Sequence, residues 1–106
     1  MEKQSLLKNK SYTFEASLWR YSGPSGWYFV TLPRNLSCEL KDKFGQLSRS
    51  WGSLPVVVTS GTSTWSTSIF ADTKSGGYLL PIKASIRKKE RLNEGDELSF
   101  SLEVVV

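Results

Sequence analysis

The sequence predicts a mainly β fold with two short helices, and three patterns along the chain support this prediction. Apolar and polar residues alternate with a period of two near both ends, from Tyr12 to Leu18 and from Leu98 to Val104. This alternation is typical of half-buried strands. Two segments with helical spacing each follow a Leu-Pro pair. The remaining apolar runs are short and bounded by turn-forming residues, which predicts further strands.

The elements follow one another in the predicted order β-β-α-β-β-β-α-β. Trp27–Leu32 is apolar on both faces, which indicates a central strand that ends at Pro33 because proline cannot donate to a sheet ladder. A helical stripe with a spacing of four residues follows, formed by Leu36, Leu40 and Phe44. The other predicted elements are strands at 55–59, 64–70 and 78–80 and a second helix at 82–91.

One internal similarity links the two halves of the chain. Phe29–Pro33 and Tyr78–Pro81 are both predicted strands that stop at Leu-Pro and lead into a helix. Two interpretations stay open at this point. Coincidence explains the similarity if Leu-Pro is simply a common way to leave a strand. A true pseudo-repeat would instead interlock two similar halves about a pseudo-twofold axis in one barrel.

Length and composition predict one domain and a cytoplasmic protein. A chain of 106 residues is too short to divide into two hydrophobic cores. We expect a flexible N-terminal tail at residues 1–10 and a single β-barrel domain at 11–106. The sequence has neither the apolar core of a signal peptide nor the roughly 20 apolar residues of a membrane span. We therefore expect no membrane contact, and a monomer rather than an obligate dimer.

The absence of histidine and the single cysteine exclude several classes of site. One cysteine, Cys38, cannot form an internal disulfide, and zinc and haem sites lose their usual ligands. Catalytic triads that need histidine are also excluded. A pair of carboxylates can still perform acid–base chemistry, but no motif fixes such a pair here. The sequence therefore predicts a protein that is not an enzyme and that has no metal or cofactor.

Two longer motifs carry a family resemblance. The first is Tyr12–Ala16 followed by Gly26–Pro33, and the second is Gly77–Lys83 followed by Ile86–Lys88 and Gly95-Asp96. Together they resemble the domain-of-unknown-function family nineteen-oh-five, over nearly the whole chain from Tyr12 onward. The resemblance implies a bacterial-type domain with a double-split β-barrel, the fold of the AbrB and MazE transcription-factor group. Those relatives build the barrel from two identical chains, whereas this chain would supply both halves. The family has no assigned activity.

Basic residues concentrate in the second predicted helix. Segment 83–91 holds five basic residues and one acidic residue. Such a patch attracts phosphates, and the AbrB resemblance implies nucleic acid as its partner. The alternative is a solvated helix face, with Arg87 anchored to Asp96 or to a nearby carbonyl. Because a net charge of +4 is mild for a nucleic-acid-binding protein, nucleic acid is possible but not favoured. The candidate contacts are Lys83, Arg87, Lys88 and Arg91.

The tryptophans are the second group of candidate binding residues. A barrel interior needs bulky side chains, so we expect Trp27 and at least one other tryptophan in the core. Trp19 lies on the polar face of its predicted strand, and Trp65 lies within the Ser/Thr-rich segment 59–68. Exposed rings at such positions can stack a small ligand. The sequence thus predicts a non-enzymatic binding or interaction module of unknown ligand, with Trp27 and Trp65 as candidate binding residues. The alternative is a nucleic-acid-binding domain that acts through helix 83–91.

Overall fold

Seven strands and two α-helices occur in the part of the chain that the computed structural model describes, residues 10–24, 26–48 and 52–105. The prediction of a mainly β fold with two short helices is confirmed. The predicted tail at 1–10, except Lys10, lies outside the described residues, as do Trp51 and Val106. In chain order the elements are β1 (Ser11–Ser17), β2 (Trp19–Arg20), β3 (Tyr28–Thr31), α1 (Arg34–Phe44), a short 3-10 helix (Gly45–Leu47), β4 (Leu54–Ser60), β5 (Ser63–Asp72), β6 (Gly77–Pro81), α2 (Ala84–Lys89) and β7 (Glu97–Val104).

The described strands form a curled half-barrel sheet in the order β1-β7-β4-β5-β6-β3-β2, with antiparallel pairing throughout. The long strand β5 pairs with β4 along Ser63–Ile69 and with β6 along Phe70–Asp72. The strand predicted at the start of the chain is divided in a similar way. Its first part, β1, pairs with β7, whereas β2 pairs with β3. Leu18, between the two parts, bonds through its backbone to Gly95 and Asp96. The observed order therefore contains one strand more than the prediction.

The core lies on the inner face of the sheet, where alternate residues of the strands are buried. Phe100, Leu102 and Val104 of β7 are buried as the period-two pattern predicts. Phe14 of β1 lies opposite Phe100, and the two rings stack with centroids 5.3 Å apart. Because both rings come from strands far apart in sequence, their contact joins the two ends of the described chain.

Helix α1 covers one side of the core. It begins directly after Pro33, buries Leu36 and Leu40 of the predicted stripe, and ends at Gly45. Its fully buried Ser37 accepts a hydrogen bond through Oγ from the backbone N–H of Tyr78 on β6, at 3.2 Å. This close packing needs a glycine at the start of β6. A Cβ atom on Gly77 would lie only 2.8 Å from Ser37 Oγ.

The two Leu-Pro segments are neighbours in the sheet. Strands β3 and β6 pair antiparallel, with Val30 opposite Leu80. Two reciprocal backbone bonds extend the pairing, from Leu32 N to Tyr78 O at 3.0 Å and from Ile82 N to Tyr28 O at 2.9 Å. Each strand then leads into a helix, but only the first strand stops at its Leu-Pro pair. The prediction that Pro81 ends the second strand is wrong, because Pro81 in β6 still pairs with Phe29 and α2 begins only at Ala84. The start of α2 lines a recess together with residues of β3 and β5.

Among the described residues, neither helix has the length and apolar character that crossing a membrane requires.

Candidate functional site

The candidate site is an open recess of about 400 Å³ between the start of α2 and strands β3, β5 and β6, which we call the basic recess. Four aromatic side chains contribute to its walls, and its charged groups are basic. The rings come from the segment before β3, from β3 itself and from β5. The residues that define it are Trp27, Tyr28, Trp65, Phe70, Lys83 and Arg87.

The basic recess brings together four of the six residues that the sequence singles out. Trp27, Trp65, Lys83 and Arg87 all line it, although they lie on three different segments of the chain. The two other candidates, Lys88 and Arg91, are exposed and do not belong to the lining. An open recess near Trp27 and Trp65 is therefore present, and its lining includes only the first part of the predicted basic segment.

The burial of the two tryptophans is the reverse of what the sequence suggests. Trp27 is 53% exposed, whereas Trp65 is only 7% exposed. The prediction that Trp27 belongs to the core is wrong because this residue precedes β3 and its ring stacks on the outer face of Phe29, with centroids 5.9 Å apart. Trp65 is buried because β5 alternates, with Ser63 and Trp65 inward and Thr64 outward. The Ser/Thr-rich composition of this segment hides that alternation.

Arg87 is held in a fixed position at the edge of the basic recess. Its guanidinium carbon lies 3.9 Å from the centroid of the Tyr28 ring, a cation–π contact. Its Nε donates to the backbone oxygen of Ile82 at 3.1 Å. This is the anchorage to a nearby carbonyl that the sequence offered as an alternative; Asp96 instead accepts a bond from Asn93 N. No described residue accepts a hydrogen bond from the two terminal nitrogens of Arg87, and no described carboxylate forms a salt bridge with it.

The charges of the basic recess favour an anion. Lys83 and Arg87 are its charged residues, and no Asp or Glu occurs among the described residues of the lining. Helix α2 as a whole ends in a basic run, and none of its cations forms a salt bridge within the described chain. A concave surface that carries charge of one sign between low-dielectric walls concentrates ions of the opposite sign.

Glu90 ties the end of α2 to the turn between β4 and β5. Its carboxylate accepts hydrogen bonds from the N–H and the hydroxyl of Thr62, at 3.3 and 2.9 Å, and from the hydroxyl of Ser63. The bond from Ser63, followed by those from Thr62, lowers the pKa of Glu90 below its ordinary value. We call these hydrogen bonds from Thr62 and Ser63 to Glu90 the clamp. Because Arg87 lies one turn before Glu90, the clamp fixes Arg87 relative to the strand that carries Trp65. Sequence reasoning missed Glu90, since no local pattern connects it to a turn so distant in sequence.

A second, larger recess adjoins the basic recess, and we call it the aromatic face. It has a volume of about 770 Å³, and Phe29 lies at its centre. The ring of Phe29 contacts three other rings at centroid distances between 5.3 and 6.5 Å, those of Trp19, Tyr21 and Trp27. Trp19 is also fixed by a hydrogen bond from its Nε1 to Thr31 Oγ1 at 2.9 Å. Trp27 and Phe70 line both recesses, so two exposed rings lie between them.

The sequence was also compared with known proteins. The model of the family described as Domain of unknown function (DUF1905) matches residues 14–102, which is most of the chain. The chain belongs to this family. A search of curated proteins finds no match to the DUF1905 chain.

The match confirms the family to which the two sequence motifs point. It spans the described strands from Phe14 in β1 to Leu102 in β7 and includes every residue that defines the basic recess. Because the family is named as one of unknown function, membership assigns no activity to the DUF1905 chain. Its function has to be argued from the recess itself. Nothing among the described residues adds support to nucleic-acid binding through helix 83–91.

Proposed function

We propose that this DUF1905 domain is a non-enzymatic binding module that holds a small organic anion in the basic recess. The observation that carries the proposal is that the Arg87 side chain is held in one position while its terminal donors stay free of described partners. The side chain is fixed on one side by Tyr28 and by the carbonyl of Ile82, while both terminal nitrogens are without a described partner. A guanidinium held in this way presents two parallel N–H donors, which match the two oxygens of a carboxylate or a phosphate.

Pre-organisation is what makes this arrangement suitable for binding. An arginine on a surface loses rotamer freedom when it closes on a ligand, and this loss costs about 0.5–1.5 kcal/mol for a side chain of this kind. In the DUF1905 domain the stack on Tyr28 and the bond from Nε already restrict the side chain. The aromatic walls add apolar surface beside the charge. A concave, mostly apolar site with few convergent polar groups is the usual form of a small-molecule site.

The test uses three probes: acetate, benzoate and inorganic phosphate. Each is titrated into the protein while amide NMR spectra are recorded. Saturable shifts are expected at residues of the basic recess with at least one probe. Arg87→Gln should weaken that binding by about tenfold or more, because charged hydrogen bonds contribute about 1.5–3 kcal/mol.

The matched control is Lys88→Gln, which removes the same charge from the next residue of α2, outside the lining. It should leave the affinity unchanged. Since Arg87 also contacts Tyr28, the thermal melt of Arg87→Gln is recorded first to show that the variant folds. Arg87→Lys serves as a second variant, which keeps the positive charge but loses the two parallel N–H donors of the guanidinium. Shifts that do not saturate with any probe, or equal losses in the Arg87 and Lys88 variants, would refute the proposal.

We also infer that the half-barrel is a double-split β-barrel with a pseudo-twofold repeat, related to the AbrB and MazE group. The reciprocal backbone bonds support this inference, since a local twofold axis between β3 and β6 exchanges them; this axis matches the helix starts Arg34 and Ala84 and not the two Leu-Pro pairs. Strand β5 pairs with one strand along its first part and with another along its second part, and the β1–β2 segment does the same. This similarity supports the inference as well. An experimental structure in which residues 28–44 fail to superpose on residues 78–89 would contradict it. The monomeric state and the cytoplasmic location stay predictions.

A further inference from the structure

The aromatic side chains in the wall of the basic recess indicate which class of anion it would bind. We infer that the ligand is an aromatic carboxylate, a small flat ring that carries one carboxylate group. This inference rests on the proposed function, because it assigns the carboxylate to Arg87. The ring would lie against the aromatic side chains that line the rest of the recess, of which Trp27 is the most exposed.

Trp27 offers a flat and well-supported surface to such a ring. More than half of the side chain is exposed, which is unusual for so large an apolar group. Its ring is nevertheless held in place, because it stacks on Phe29 at an interplanar angle of 10°. Phe29 is itself wedged against Trp19 and Tyr21. A supported, exposed indole is suited to stacking, since aromatic pairs gain from face-to-face offset contact beyond the area that they bury.

Trp65 forms a buried part of the wall of the basic recess. The residue is more than nine-tenths buried, and its ring lines the basic recess. Its indole nitrogen is also buried, and no described residue accepts a hydrogen bond from it. The indole nitrogen lies beneath the surface of the recess, so Trp65 contributes an apolar wall beside Arg87 and Trp27 and not a hydrogen-bond donor to the ligand.

A carboxylate fits the charged end of the basic recess better than a phosphate does. Phosphate sites usually surround the ligand with several backbone N–H groups in addition to cations. Here the fixed polar group is the guanidinium of Arg87 alone. Lys83 is exposed and has no described partner that would hold it in place. One guanidinium pairs completely with the two oxygens of one carboxylate. The volume of about 400 Å³ lies at the lower end of the range for small-molecule sites and suits one or two rings.

The experiment compares four anions with the wild-type protein by calorimetry and by amide NMR shifts: benzoate, cyclohexanecarboxylate, acetate and phenylphosphate. Benzoate should bind about tenfold more tightly than acetate and more tightly than the saturated ring, because only the flat ring stacks. Trp27→Leu should reduce the affinity for benzoate several-fold and leave that for acetate unchanged. The matched control is Tyr21→Leu, another half-exposed ring that contacts Phe29 but lies outside the basic recess. It should change neither affinity.

The outcomes separate the inference from the proposed function. If acetate or cyclohexanecarboxylate binds as tightly as benzoate, and Arg87→Gln weakens all three, the anion site stands and the aromatic class is wrong. If phenylphosphate binds more tightly than benzoate, the anionic group of the ligand is a phosphate and not a carboxylate, and the inference is wrong. Equal effects of the Trp27 and Tyr21 variants would remove Trp27 from the site and overturn the inference. If none of the four anions binds in a manner that depends on Arg87, the proposed function fails together with the inference.

Discussion

Replacing Phe100 by alanine tests whether the inner face of the sheet is the one that holds the domain together. Phe100 is 2% exposed and lies at the middle of β7. Its ring stacks on Phe14 of β1, the directly opposite residue in the ladder, at a centroid distance of 5.3 Å. The substitution removes the whole ring from the core and leaves Phe14 without its partner.

The expected cost follows from these two losses. Truncation of a buried phenylalanine to alanine destabilises proteins by about 3–5 kcal/mol, through lost burial and the cavity that remains. The aromatic pair contributes about 0.5–1.5 kcal/mol of such a loss. We therefore expect about 4 kcal/mol for Phe100→Ala, which lowers Tm by on the order of 20 °C in a domain of this size. Because small domains have only about 5–15 kcal/mol of stability, the variant would lie close to unfolding.

The assay is urea denaturation followed by tryptophan fluorescence, with buried Trp65 as one of the reporters. Phe70→Ala is the control, since Phe70 is 37% exposed on β5 and its loss should cost clearly less than that of Phe100. If Phe100→Ala does not fold, Phe100→Leu measures the same site with a smaller loss of volume, and a double-mutant cycle with Phe14→Leu measures the coupling between the rings. A cost below about 1 kcal/mol for Phe100→Ala would refute the assignment of the core face.

Two further predictions concern contacts between elements. Ser37→Ala should destabilise the domain by about 1–3 kcal/mol, because it leaves the buried N–H of Tyr78 without its acceptor; a change in the urea midpoint below a few tenths molar would contradict this. Gly61→Ala should cost at least about 1–2 kcal/mol, because Gly61 has a φ of 61° and its new Cβ would collide with the carboxylate of Glu90. Gly45→Ala, whose nearest neighbour would lie at an ordinary 3.5 Å, is the control in thermal melts, and equal melting of the two variants would argue against the clamp.

Much of the fold could be predicted from the sequence, because local periodicity determines it. The stripe of Leu36 and Leu40 and the alternation that ends at Val104 are both visible in the sequence and both buried in the structure. The interruption at Leu18 was not predictable in this way. The alternation stops there, because Trp19 follows Leu18 directly, but no local pattern shows that the chain changes its partner from β7, which lies far away in sequence, to β3.

The candidate site was predictable by residue type but not by position. Long cations and tryptophans suggested binding, and the basic recess does contain Trp27, Trp65, Lys83 and Arg87. Which ring is buried depends on the tertiary structure. The polar neighbours of Trp65 made it look exposed, although in a strand only every second residue faces the core. The roles of Tyr28 and Glu90 had no sequence signal, since each acts across a contact between separate elements.

The position of β7 between β1 and β4 has a consequence for the order of events during folding. Strands β4, β5 and β6 follow one another in sequence and pair as neighbours, so they can assemble through short loops. Strand β1 has no neighbour in the described sheet until β7 arrives, because Ser11 pairs with Glu103. Closing so long a loop is entropically costly and slows folding when it is needed for the native contacts. On a ribosome, β1 would emerge first and stay unpaired until the strand that completes its ladder has been synthesised.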